Sequence, residues 1–159
     1  MDKEIAKLKQ EIKSDDWKTS LSAADRLADI GTEESVQLLV DNLQSEDNFI
    51  RNAAALGLMR TGNQKFFNPL INRIKELGSE EEIGTLVYAL EGFDCCAILS
   101  DIVNLFLKGN FEVRQATTNI LNDQSFQVTR KELEKIEKQL KDHDYSLDSF
   151  KINYQIKSE

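Results

Sequence analysis

The side chains that could carry out chemistry are few, and each stands without the neighbours such chemistry needs. His143 is the only histidine, in the polar stretch LKDHDY. A zinc site or a His-dependent nucleophile would need further ligands or a base beside it, so a solvated imidazole is expected. Cys95 and Cys96 are adjacent, and a disulfide between neighbours is strained. Reduced thiols in an intracellular, cytoplasmic protein follow as the expectation. Both fall where a helix should begin, a place that can lower a thiol pKa. One packing cysteine and one incidental cysteine is the simpler reading. The acidic runs Asp15-Asp16 and Glu80-Glu81-Glu82 stand at expected helix starts, where carboxylates cap the helix and complement its dipole. No stretch has the pattern of a phosphate-cradling loop, a nucleophile elbow or a zinc signature. No catalytic residue, cofactor or metal ligand is therefore assigned.

What would position such groups is helix. The chain has 159 residues, 40% hydrophobic and 30% charged, with one proline, enough for one domain with a sizeable core. Its net charge of -8 repels a phosphate backbone and favours a basic protein as partner. The opening MDKEIAKLKQEIK has no apolar run, so neither an ordinary signal peptide nor a membrane span is expected there. Charge is distributed in blocks: residues 15–47 carry -7, residues 48–78 carry +4 and residues 79–112 carry -6. Those blocks read equally as a surface of alternating sign, able to orient a charged partner, or as solvated outer faces that give solubility.

The stretch 47–62, DNFIRNAAALGLMRTG, places Ile50, Ala54 and Leu58 on one helical stripe beside Ala53 and Gly57. Small residues there let a second helix come close. Gly62 provides the helix end, and a second apolar-periodic run begins near Phe66. Pro69 lies in that run and calls for a late helix start rather than a kink. The pattern repeats: Leu27, Leu58, Leu90 and Leu121 are 31, 32 and 31 residues apart. In the second helices the sets Val36, Leu39, Val40, Leu43, then Phe67, Leu70, Ile71, Ile74, then Leu99, Ile102, Val103, Phe106 keep one phase behind that leucine. The fourth unit keeps Val113, Ala116, Ile120 and Leu121, and its second helix shifts to Val128, Leu133, Ile136 and Leu140. Ahead of the repeats, Ile5, Leu8 and Ile12 make a short shielding helix with Asp2 as its cap, and Trp17 is expected to pack against that helix.

Ile50-Arg51 stands eight and seven residues before Leu58, and Val113-Arg114 stands likewise before Leu121. The arrangement resembles HEAT repeats, whose first helix commonly carries Val-Arg eight residues before an Ala-Leu-type pair, and the short period is similar to the compact bacterial members. The resemblance covers about residues 15–141. It implies an all-α α-solenoid with a right-handed superhelix and about four repeats, 15–44, 45–78, 79–108 and 109–141. An N-terminal helix, 1–14, precedes them and an extended tail, 142–159, follows, all in one domain. In such arrays the second helices usually line the concave side, which makes Gln37, Asp41, Gln44, Asn68, Asn72, Arg73, Asp101 and Asn104 the expected partner-binding residues.

The tail departs from helix periodicity. Phe150, Ile152, Tyr154 and Ile156 alternate with polar residues, as in a strand. That strand could lie across the last helices, pair between two copies as a weak dimer of an otherwise monomeric protein, or add to a partner's sheet. The functional expectation is a non-catalytic protein-interaction module that binds a basic protein through its concave or acidic surface. An immunity-type inhibitor neutralising a toxin is the narrower form. Two other roles found on similar repeats, DNA binding with base excision and tetrapyrrole attachment or carriage, are implied only by the resemblance; the first would need a basic channel.

Overall fold

The computed structural model describes residues 2–78 and 82–158, with Asp2 described as backbone only. The chain forms two compact units, divided after Phe93, so the third repeat as read from the sequence straddles their boundary.

The first unit contains α1 (Asp2–Glu11), α2 (Trp17–Ile30), α3 (Glu33–Leu43), α4 (Asn48–Thr61), α5 (Phe67–Leu77) and the short α6 (Gly84–Ala89). Contacts run α1 to α2, α2 to α4 and α4 to α6 in one layer, and α3 to α5 in a second. Each helix pair therefore stacks on the next, which is how a pair that cannot hide its own apolar stripe completes its core. Ile5, Leu8 and Ile12 are buried, closing the first repeat from the outside. Gly31 and Gly62, at one phase of the repeat, hold φ 64° and 60° and end α2 and α4 in the left-handed conformation a side chain disfavours. Pro69 falls in the first turn of α5, where its missing N–H is not needed, so that helix starts late, at Phe67. The cap expected of Asp2 and the residues Glu80 and Glu81 lie outside the described residues. Glu82 does not cap α6; it accepts the Asn48 side-chain amide at 2.5 Å.

The second unit contains α7 (Leu99–Lys108), α8 (Phe111–Asp123), β1 (Ser125–Val128), α9 (Arg130–Lys141) and β2 (Asn153–Ile156). Here the sequence reading needs correction. Val128 belongs to a strand and not to the fourth repeat's second helix, which starts at Arg130 after a capping box of Thr129 and Glu132. The tail strand also has its partner within the chain: β2 pairs parallel with β1, Phe126 opposite Tyr154 and Val128 opposite Ile156. The apolar second-helix positions are buried as their phase requires, except Val40 and Phe67, which are half-buried.

Several helix ends carry carboxylates held below their usual range. Asp16 accepts hydrogen bonds from the Thr19 hydroxyl at 2.7 Å and its amide at 2.9 Å, and these lower its pKa. Glu132 is lowered first by the Thr129 amide and then by its hydroxyl. A group depressed on folding stabilises the fold above its unfolded pKa and loses that contribution as pH falls through the folded value. The urea midpoint is therefore expected to hold from neutral pH down to about pH 5 and to fall below about pH 4. Asp16→Asn, which keeps a capping oxygen, should flatten part of that fall; an unchanged profile would show the Asp16 cap does not titrate with folding.

Candidate protein-docking surface

The acidic face of α3 is built by its own sequence. Thr32 caps the helix, its hydroxyl accepting from the Ser35 amide at 3.2 Å, and Glu33 and Glu34 occupy the first turn, where negative charge complements the dipole. Val36, Leu39 and Leu43 turn inward, which leaves Glu33, Glu34, Gln37, Asp41 and Gln44 exposed on the other side. The Gln37 amide donates to Asp41 one turn on, at 2.8 Å, fixing both side chains. Against this face and Ile5 of α1 lies a hollow of about 510 Å³. On α5, Asn68 and Asn72 are also exposed.

Arg73 is placed otherwise. It is 9% exposed, and its guanidinium reaches the turn before α4: the Gln44 and Ser45 carbonyls at 3.4 and 3.5 Å and the Glu46 carboxylate at 3.2 Å. Arg51, 2% exposed, donates to the Ser45 and Glu46 carbonyls at 3.0 and 3.3 Å. Two buried arginines thus tie one turn by donating to its carbonyls. Arg60 forms a forked ion pair with Asp29, at 2.7 and 3.2 Å. Of the five cations of residues 48–78, Arg51 and Arg73 are thus buried at the turn before α4, while Arg60, paired with Asp29, and Lys65 and Lys75 stand exposed. In the second unit, Asp101 and Asn104 of α7 are half-buried, and Asn104 accepts the Gln139 amide at 3.2 Å, which joins α7 to α9.

An aromatic ledge was missed by the sequence reading. Trp17 finds its ring partner in Phe49 of the next repeat, centroids 6.1 Å apart, and Phe49 is 52% exposed. The signal was available: Phe49 falls off the apolar phase of Ala54 and Leu58, two residues after the Asp47 cap.

The groups singled out for chemistry sit apart. Burial, with the charge of Asp94 second, pushes the Cys95 thiol up to about 12, and a hydrogen bond with Asp94 raises Cys96. Both shifts run opposite to an activated thiol. His143 is exposed, its Nδ1 3.0 Å from the Gln139 carbonyl oxygen. Among the described residues no cluster of His, Cys, Asp or Glu has the makings of a metal site, and no helix is long and apolar enough to cross a membrane.

The profile of HEAT repeats matches residues 5–91, more than half of the chain. The chain belongs to the HEAT repeat family. No curated protein sequence matches it significantly. The HEAT match runs from α1 to the turn after α6 and so covers nearly the whole first unit. HEAT arrays generally mediate protein–protein interactions and are typically non-catalytic scaffolds. In this HEAT protein, Arg51 of the Ile50-Arg51 pair turns into the fold to hold the preceding turn.

Proposed function

We propose that this protein is a non-catalytic docking module whose first unit binds a basic protein through the outward face of α3, with Asn68 and Asn72 of α5 extending the surface. One observation carries the reading: Arg51 and Arg73 are engaged at the turn before α4 and Arg60 with Asp29, while Glu33, Glu34 and Asp41 stand exposed. Acidic charge on α3 is left for a partner to complement. Complementary charge of this kind chiefly sets encounter rate and specificity, and it is screened beyond about 8 Å at physiological salt. A small acidic inhibitor that neutralises a basic toxin or nuclease is the narrower form of the reading.

The test is capture from the native host's lysate with the protein as bait, beside the variant Glu33→Lys, Glu34→Lys, Asp41→Lys. Exposed pairs are worth about 0.2–1 kcal/mol each, and reversal replaces attraction with repulsion. The variant should therefore bind roughly tenfold to a hundredfold more weakly. A basic protein retained at low salt, released at high salt and lost with the variant supports the reading. Equal capture by both baits, or nucleic acid in place of protein, overturns it.

A further inference from the structure

The second unit ends in an unfinished sheet. In a parallel ladder, alternate residues direct their backbone groups to the neighbouring strand. Lys157 donates its amide to the Val128 carbonyl at 2.8 Å, so the register turns Asn153, Gln155 and Lys157 toward β1. Tyr154 and Ile156 direct theirs away, where they meet no backbone partner among the described residues. The far edge of β1 is differently placed, since Gln127 donates to the Cys96 carbonyl at 2.8 Å.

The side chains report the same incompleteness. Paired residues share a face, and that face is closed over β1, with Phe126 1% and Val128 2% exposed, but open over β2, where Ile156 is 47% exposed. A hollow of about 600 Å³ lies beside β2, lined by Tyr145, Phe150, Ile152 and Tyr154 and by charged side chains that include Asp148 and Lys151. The strand is nevertheless held in place. Phe150 packs edge-on against Phe106 at 4.8 Å, the Lys151 backbone amide donates to the Asn122 side-chain oxygen at 3.2 Å, and the Asn153 side-chain amide donates to the Ser125 hydroxyl at 2.9 Å. An edge fixed in advance need not be ordered when it binds.

We propose that the free edge of β2 takes an extended segment of a partner protein as a third strand, apolar at alternate positions and acidic at its ends. Apolar side chains from such a strand cover Ile156 and enter the hollow, while Tyr154 and Ile156 supply the main-chain pairing. The acidic ends follow from Lys151 and Lys157, both exposed, which bracket the strand. They also argue against a second copy: antiparallel pairing of two β2 strands centred on Tyr154 sets Lys151 of one against Lys157 of the other, the kind of charge that keeps edges from self-pairing. The inference is independent of the α3 surface, and either can fail alone.

The test uses the full chain with a short synthetic peptide of alternating valine and threonine closed by glutamate at both ends, and its counterpart closed by lysine. Amide exchange resolved by residue should show Gln155 and Lys157 slow throughout. Tyr154 and Ile156 should exchange fast in the free protein and about tenfold or more slowly with the glutamate peptide. Ile156→Pro removes the outward donor and leaves both neighbours' bonds to β1, so it should lose the peptide; Ile156→Ala keeps the amide and should retain more of the binding. Absence of protection at Tyr154 and Ile156, equal binding of the lysine peptide, or a proline variant that binds like the wild type overturns the proposal. So does a peptide-free dimer that the proline substitution dissolves, since that makes a second copy the occupant.

Discussion

Replacing Leu58 with alanine is expected to lower the free energy of unfolding by about 2–5 kcal/mol, because a fully buried leucine loses both its transfer free energy and the packing of the cavity left behind. Leu58 is 0% exposed on α4, the helix that touches α2, α3 and α6. Its removal therefore loosens several interfaces of the first unit, and in a stacked array stability rests on such nearest-neighbour contacts. Urea unfolding measures it directly. A midpoint indistinguishable from wild type would mean that α4 does not hold its neighbours through this residue.

Gly57→Val is the converse experiment, too much side chain in place of too little. A Cβ at Gly57 would lie 2.9 Å from the end of Leu39, 3.0 Å from the Ala24 carbonyl oxygen and 3.2 Å from the Ala24 Cβ. Leucine can turn aside, but a carbonyl inside α2 moves only with its helix. Alanine at this position would gain about 1 kcal/mol of helix propensity to set against the clash. Valine brings two further methyls and is expected to cost about 1–3 kcal/mol by overpacking. In a Leu39→Ala background the penalty should shrink, since the two positions share one space. A valine variant as stable as wild type would show that α2 and α4 are not in close approach there.

The leucine marker and the glycines made the repeats legible, because helix burial imposes a period that survives changes of side chain. Leu27, Leu58, Leu90 and Leu121 are all fully buried, and Gly31 and Gly62 both adopt the conformation that ends a helix. Strand β1 was not legible: SFQV gives only two alternations, too few to separate from the end of one helix and the start of another. Without β1 the tail had no visible partner. The charge blocks could not separate the buried Arg51 and Arg73 from the exposed Lys65 and Lys75, since counting charges ignores where a long side chain ends. Phase held the missing information. Arg51 stands four and seven residues before Ala55 and Leu58, and Arg73 stands seven and three after Phe66 and Leu70, so both lie on buried faces. Arginine on such a face carries its guanidinium to whatever acceptors are near, here the carbonyls of one turn. Of the residues expected to bind a partner, Gln37, Asp41, Gln44, Asn68 and Asn72 stand exposed because helix phase alone decides that. Arg73 and Asn104 are engaged inside the fold because their partners come from distant sequence.

Docking through the acidic face of α3 is decided by the dissociation constant of the captured partner for wild type and for the Glu33→Lys, Glu34→Lys, Asp41→Lys variant, each at low and at high salt. The expected result is tight wild-type binding at low salt, a strong loss at high salt, and roughly tenfold to a hundredfold weaker binding by a variant that is shown to be folded under the assay conditions. Equal constants for the two proteins, with the same response to salt, would contradict it.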